Sequence, residues 1–217
     1  MNPWPPQEGV FIAGKPLTDI WAPPGLRWME TVHQAANGPL RHPHLLFTRR
    51  DRSWYDLDNL AYPVVAALGI ADCDSIWAQV RAGEPEGVLI REEQPPPLDP
   101  GAPAGIYISK PSSGSQAKRP RPPELEHVEV VGNDEPLCLT VEFDASDVPL
   151  AALSYDGPLK SLIDDLTPLF GTGLISGRLL AKDHRVKDLR ITRGLNPDGH
   201  GVRVRLWPLN DEGQPWP

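Results

Sequence analysis

The sequence predicts an α+β protein made of two units of similar plan, and three observations predict it. Short runs of β-branched and apolar residues alternate with amphipathic stretches at helical spacing. The order carboxylate, apolar helix, glycine, carboxylate, strand begins near Asp56-Leu57-Asp58-Asn59-Leu60 and recurs from Tyr155-Asp156 to Lys182-Asp183-His184-Arg185-Val186. A Pro/Ser/basic stretch over 111–124 separates the two occurrences, dividing the chain into units 1–110 and 125–217.

In the first unit, residues 10–14 read as a strand closed by glycine and proline. Leu26, Met29, Val32 and Ala36 carry a helical spacing that Asn37-Gly38-Pro39 ends. Residues 44–48 form the next strand. Asp58 is expected to cap a helix over 59–68 that Gly69 stops, with Pro63 awkward unless it falls in the first turn. Strands over 75–81, 87–92 and 105–110 follow, with 95–103 as a proline-rich connection.

In the second unit, residues 127–131 and 137–143 are expected to pair as strands across a Gly-Asn-Asp turn. Leu159, Leu162, Ile163, Leu166 and Leu169 form one stripe of a helix over 158–170, with Pro158 in its first turn. Residues 185–192 and 202–207 read as strands joined by Asn196-Pro197-Asp198-Gly199. Each unit is thus strand, helix, strand, strand.

The bulk composition narrows the class. The chain has 217 residues and 27 prolines, enough for one or two domains with long connections. Its two cysteines, Cys73 and Cys138, are expected as buried free thiols in a reducing, cytoplasmic setting. No run approaches the roughly 18 apolar residues of a membrane span, and residues 1–6 lack the pattern of a secretory signal. A net charge of −8 disfavours nonspecific nucleic-acid binding. Between Arg178 and Arg205, however, eight Lys/Arg stand against three Asp. That run makes either a local positive face or solvated strand edges.

Asp56 and Asp58, two apart in extended chain, would present both carboxylates to one point, and Asp72 or Asp74 would rejoin them after the helix. Like charges so close call for a cation, and a divalent metal holding a nucleophilic water on a phosphodiester is one answer. Capping of the helix by Asp58, with Asp56 solvated, is the other. Trp54 and Trp77 lie close by in sequence and suit either core packing or stacking on exposed bases. His42 and His44, separated by proline with no cysteine near, read as structural.

The segment from Arg49 and Arg50 through Asp56-Leu57-Asp58-Asn59-Leu60 and Ala67-Leu68-Gly69 to Asp72-Cys73-Asp74 resembles the signature of the RusA-like Holliday-junction resolvases. That resemblance implies a small, dimeric, Mg²⁺-dependent α+β endodeoxyribonuclease acting on branched DNA, Mn²⁺ being an alternative ion. Asp56, Asp58, Asp72 and Asp74 match the family's metal carboxylates, and Arg49, Arg50 and Arg52 its basic run. Tyr62 stands where the family carries a lysine. The second copy complements this. Asp156 matches the second carboxylate, Lys160 the lysine and Asp183 the closing carboxylate, while Ser154 replaces the first aspartate. Asp56, Asp58, Asp74, Asp156, Lys160 and Asp183 are therefore the candidate catalytic set, and Arg185 and Lys187 join the candidate DNA contacts. The tandem arrangement implies two RusA-like units forming an intrachain pseudodimer, either monomeric or paired as a homodimer. A catalytically degenerate module that binds DNA or a protein partner is the competing expectation, because neither copy is complete.

Overall fold

The computed structural model describes residues 8–14, 23–36, 38, 40–50, 56–68, 73–98, 102–109, 122–132, 134–144, 158–175, 178–193 and 201–209. The expected turn at 196–199 and the linker over 111–121 lie outside them.

Ten strands and four helices are present among the described residues: β1 (Val10–Ala13), α1 (Pro23–Ala35), β2 (Pro43–Arg49), α2 (Leu57–Leu68), β3 (Ser75–Ala82), β4 (Gly87–Glu92), β5 (Ile106–Ile108), β6 (Leu137–Phe143), α3 (Pro158–Asp165), α4 (Thr167–Phe170), β7 (Thr172–Ile175), β8 (Arg178–Ala181), β9 (Val186–Arg193) and β10 (Val202–Pro208). The α+β class is as expected. Eight strands form one mixed sheet in the order β1-β4-β2-β3-β9-β6-β10-β5, and β7 and β8 make a separate hairpin.

From each edge inward the strands run β1-β4-β2-β3 and β5-β10-β6-β9. In both quartets the first two pairings are antiparallel and the third is parallel. Leu45 pairs with Ile90 and Ala78; Leu139 pairs with Leu206 and Leu189. Ile12 lies opposite Val88 as Ile106 lies opposite Val204. The quartets meet along antiparallel β3 and β9, where Ala78 faces Leu189.

Strand side chains alternate between faces, so each strand commits one set to the helices. Leu45 and Phe47 on β2, Ile76 and Ala78 on β3, Leu189 and Ile191 on β9, and Leu139 and Val141 on β6 join Val32 of α1, Leu60 and Val64 of α2, and Leu162 and Phe170 of the second unit's helices in one buried core. Pro63 sits inside α2 and is buried. Its missing N–H costs one helical hydrogen bond, and its ring is taken up by that core. On the opposite face the chain after β4 crosses the sheet, and Leu98 packs against a small cluster of Cys138, Trp207 and Leu209.

Two expectations change. Residues 127–131 form no strand; a short 3-10 turn spans Pro123–Leu125, and the Val131 N–H donates to the Leu169 carbonyl at 2.9 Å. That bond satisfies the group a strand ladder would have used. The helix over 158–170 divides at Leu166, after which Thr167–Phe170 makes one separate turn with proline near its start.

Candidate functional site

Asp56 stands at the start of α2. Its carbonyl accepts the Leu60 N–H at 3.2 Å, a helical bond, and its Oδ2 accepts the Asn59 side-chain amide at 3.0 Å. Asp56 rather than Asp58 therefore holds the cap position. Asp58 lies within the first turn and is 7% exposed. Two residues apart on a helix are rotated by about 200°, so the pair does not converge as an extended chain would make it. Both carboxylates do sit where the helix end favours negative charge.

Asp74 is not brought to them. Its Oδ2 binds Arg41 Nε at 2.8 Å and Nη2 at 2.5 Å, and its N–H donates to the Arg41 carbonyl at 2.7 Å. Arg41 lies just before β2, so Asp74 is at the end where β2 and the parallel strand β3 both begin. α2 runs back between those strands over about 18 Å, which separates its N-terminus from the start of β3.

The antiparallel seam supplies a different neighbour. Asp188 of β9 lies opposite Gln79 and Thr192 opposite Ser75, so β9 starts at the end where β3 finishes. A 3-10 turn, Asp183–Arg185, leads into it. The pKa of His184 in that turn is lowered, burial being the largest cause and the Lys187 charge the next; the Asp56 carboxylate acts in the opposite direction. Asp56 thus lies within electrostatic reach of His184. Asp183 Oδ1 accepts the His184 N–H at 3.1 Å, and Lys187 is buried.

The basic residues divide sharply. Arg185, 3% exposed, donates to the carbonyls of Phe170 at 2.8 Å, Val131 at 2.7 Å and Glu135 at 3.1 Å. This overturns the expectation of a DNA contact: its guanidinium clips three backbone segments together. Arg49 is also buried, with Nε 3.6 Å from Glu86 Oε1, and so offers no exposed face to a nucleic acid. Arg50 is exposed and ion-paired to Glu84 at 2.5 Å. Arg52, Asp72, Asp156 and the side chain of Lys160 lie outside the described residues. Tyr62 packs against the core. Among the described residues no three His, Cys, Asp or Glu side chains are grouped to hold one metal ion.

The open face of the sheet carries a polar network that the sequence did not single out. Asp188 accepts from Trp77 Nε1 at 3.0 Å, Gln79 Nε2 at 3.0 Å, Arg190 Nε at 3.0 Å and Arg190 Nη2 at 2.9 Å. His44 stacks on Trp77 with centroids 3.8 Å apart and planes 8° from parallel. Its Nδ1 faces Glu93 Oε2 at 2.8 Å and its Nε2 faces Gln79 Oε1 at 3.1 Å. The available signal was the spacing of Asp188 and Arg190, two apart on one strand and so on one face.

Burial lowers the pKa of His44 and outweighs the hydrogen bonds from Glu93 and Gln79 that raise it. The unfolded chain then takes up this proton more readily than the folded one. Stability from His44 is complete above its unfolded pKa and is lost as pH falls through that value towards the folded one. Urea unfolding should show stability declining from about pH 7.5 to about pH 5.5, and His44→Phe should flatten that decline. An unchanged slope in the variant would remove His44 as the cause.

Among the described residues no helix is long and apolar enough to cross a membrane. No family model matches the chain, and comparison with curated proteins and with solved structures gives no match.

Proposed function

We propose that the chain is an intrachain pseudodimer of two RusA-like units acting on branched DNA as a Mg²⁺-dependent, structure-specific endodeoxyribonuclease. The antiparallel seam between β3 and β9 carries this reading. The quartets it joins share strand order and orientation, and Ile12 and Leu45 correspond to Ile106 and Leu139 at one offset in sequence. A two-fold axis through Ala78 and Leu189 would relate the two units.

Such an axis supplies what one unit cannot. A parallel crossover sets the start of its helix and the start of its next strand at opposite ends of the sheet. The other unit's strand start lies at the helix end instead. The carboxylate motif would therefore be shared between units, with Asp56 or Asp58 beside Asp183 at one end.

Mg²⁺ takes one or two carboxylates and completes its shell with water and phosphate oxygens. Asp56 or Asp58, with Asp183, would make such a sparse donor set, since no three acidic or ligating side chains are grouped around one ion among the described residues. Bound there, the ion would supply an activated water and neutralise phosphate charge. The chain's own part is to hold the carboxylates at the α2 N-terminus and to set Lys187, beside His184, at the end where Tyr62 has replaced the family's lysine.

The test is incubation with branched and linear duplexes in Mg²⁺. Branched DNA should be cut, and Asp58→Asn should slow cutting by about a hundredfold. Equal cutting by the variant, or none by either protein, defeats the nuclease reading.

A second reading, a non-cleaving module that binds DNA or a protein partner, is favoured by the commitment of Asp74 to Arg41. Calorimetric titration with Mn²⁺ separates the two: the non-cleaving module takes up no ion at stoichiometric occupancy.

A further inference from the structure

One row of cross-strand neighbours runs over the open face of the sheet. Arg91 lies opposite His44, His44 opposite Trp77, Trp77 opposite Arg190, Arg190 opposite Thr140, and Thr140 opposite Arg205. Its members carry flat groups: guanidinium, imidazole, indole, guanidinium. His44 stacks on Trp77 at 3.8 Å, and the Arg190 guanidinium carbon lies 5.8 Å from the Trp77 ring. Neighbouring strands are about 4.8 Å apart, so each of these groups stands beside the next. Thr140 is the one member without a flat side chain, and there the row has a gap.

The gap is a cavity of about 280 Å³ lined by Thr140, Glu142, Arg190 and Thr192, with Pro95–Pro97 and Leu98 across it. Three consecutive prolines give it a stiff apolar wall. The polar wall has unused capacity. Thr140 is 5% exposed and its hydroxyl has no partner. Arg190 spends Nε and Nη2 on Asp188, leaving Nη1. Glu142 Oε2 accepts from Arg205 at 2.5 Å, leaving Oε1. A donor, an acceptor and a hydroxyl thus meet beside a guanidinium plane and an apolar wall.

We infer that this cavity binds a single nucleobase, which would continue the stack beside Arg190 and place its polar edge on Thr140 and Glu142. Bases stack on guanidinium planes and hydrogen-bond through their edges. The inference deepens the DNA-binding reading by giving it a site for one unpaired base, but its test needs no cleavage, so either can fail alone.

The full chain is titrated calorimetrically with each of the four deoxynucleoside monophosphates and with deoxyribose 5-phosphate. At least one nucleotide should bind and the sugar phosphate should not. Thr140→Val and Glu142→Gln should each weaken binding by about tenfold, as loss of one hydrogen bond does. Thr140→Phe should fill the gap and abolish it; should that variant not fold, the two milder ones decide. A single-stranded oligonucleotide arm separates the sources. Tighter binding of the strand assigns a base of DNA, and binding of the free nucleotide alone assigns a soluble nucleotide. Absence of base-dependent binding in both arms, or binding unchanged in Thr140→Val and Glu142→Gln, overturns the inference.

Discussion

Asp188→Ala should lower the stability of this protein by about 3–5 kcal/mol, the cost typical of breaking a buried ion pair from one side. Asp188 is 1% exposed and accepts four hydrogen bonds. Two come from Trp77 and Gln79 on β3 and two from Arg190 on its own strand β9, so the carboxylate ties the seam on which both quartets meet. Removing it leaves the buried Arg190 guanidinium uncompensated and the half-buried N–H groups of Trp77 and Gln79 without an acceptor. The melting temperature should fall by about 10 °C. Urea unfolding of the variant beside the parent checks this, and a loss below about 1 kcal/mol would mean that water or other acceptors replace the carboxylate.

The second large effect is one that the proposed nuclease would show, and it decides how the carboxylates are grouped. Asp183→Asn should slow one of the two strand cuts in a branched substrate by about a hundredfold. Asp58→Asn should lose that same cut. The double variant should be no slower than either single one, since residues acting as a unit are not additive. Asp74→Asn should leave this cut in place, because Asp74 is held by Arg41 at the other end of β3. Cleavage products mapped at nucleotide resolution give the answer. If Asp74→Asn and Asp58→Asn remove the same cut while Asp183→Asn spares it, the carboxylates work within one unit and the shared arrangement is wrong.

Most strands were legible because one set of their side chains enters the core. β2, β3, β4, β6, β9 and β10 each carry apolar residues at alternate positions, and the expected boundaries fall within a few residues of those observed. α2 was legible from its capping carboxylates and its apolar run, even with Pro63 inside it. The short hairpin of β7 and β8 was not, since strands of four residues leave too little pattern to read. Residues 127–131 misled because alternation says which side chains could be buried, whereas Val131 found its backbone partner on the helical segment at Leu169.

The candidate site divides in the same way. The sequence by itself determined the α+β elements and the position of Asp56 and Asp58 at a helix start. Each of these depends on neighbours within a turn or two of chain. Only the tertiary structure decided that Asp74 faces Arg41 and not Asp58, that Arg185 is a buried clip, and that Asp56 lies within electrostatic reach of His184. The first follows from the parallel pairing of β2 and β3, and the last from the direction in which β9 lies against β3. That direction is set by packing between residues more than a hundred positions apart, and no local pattern of side chains records it.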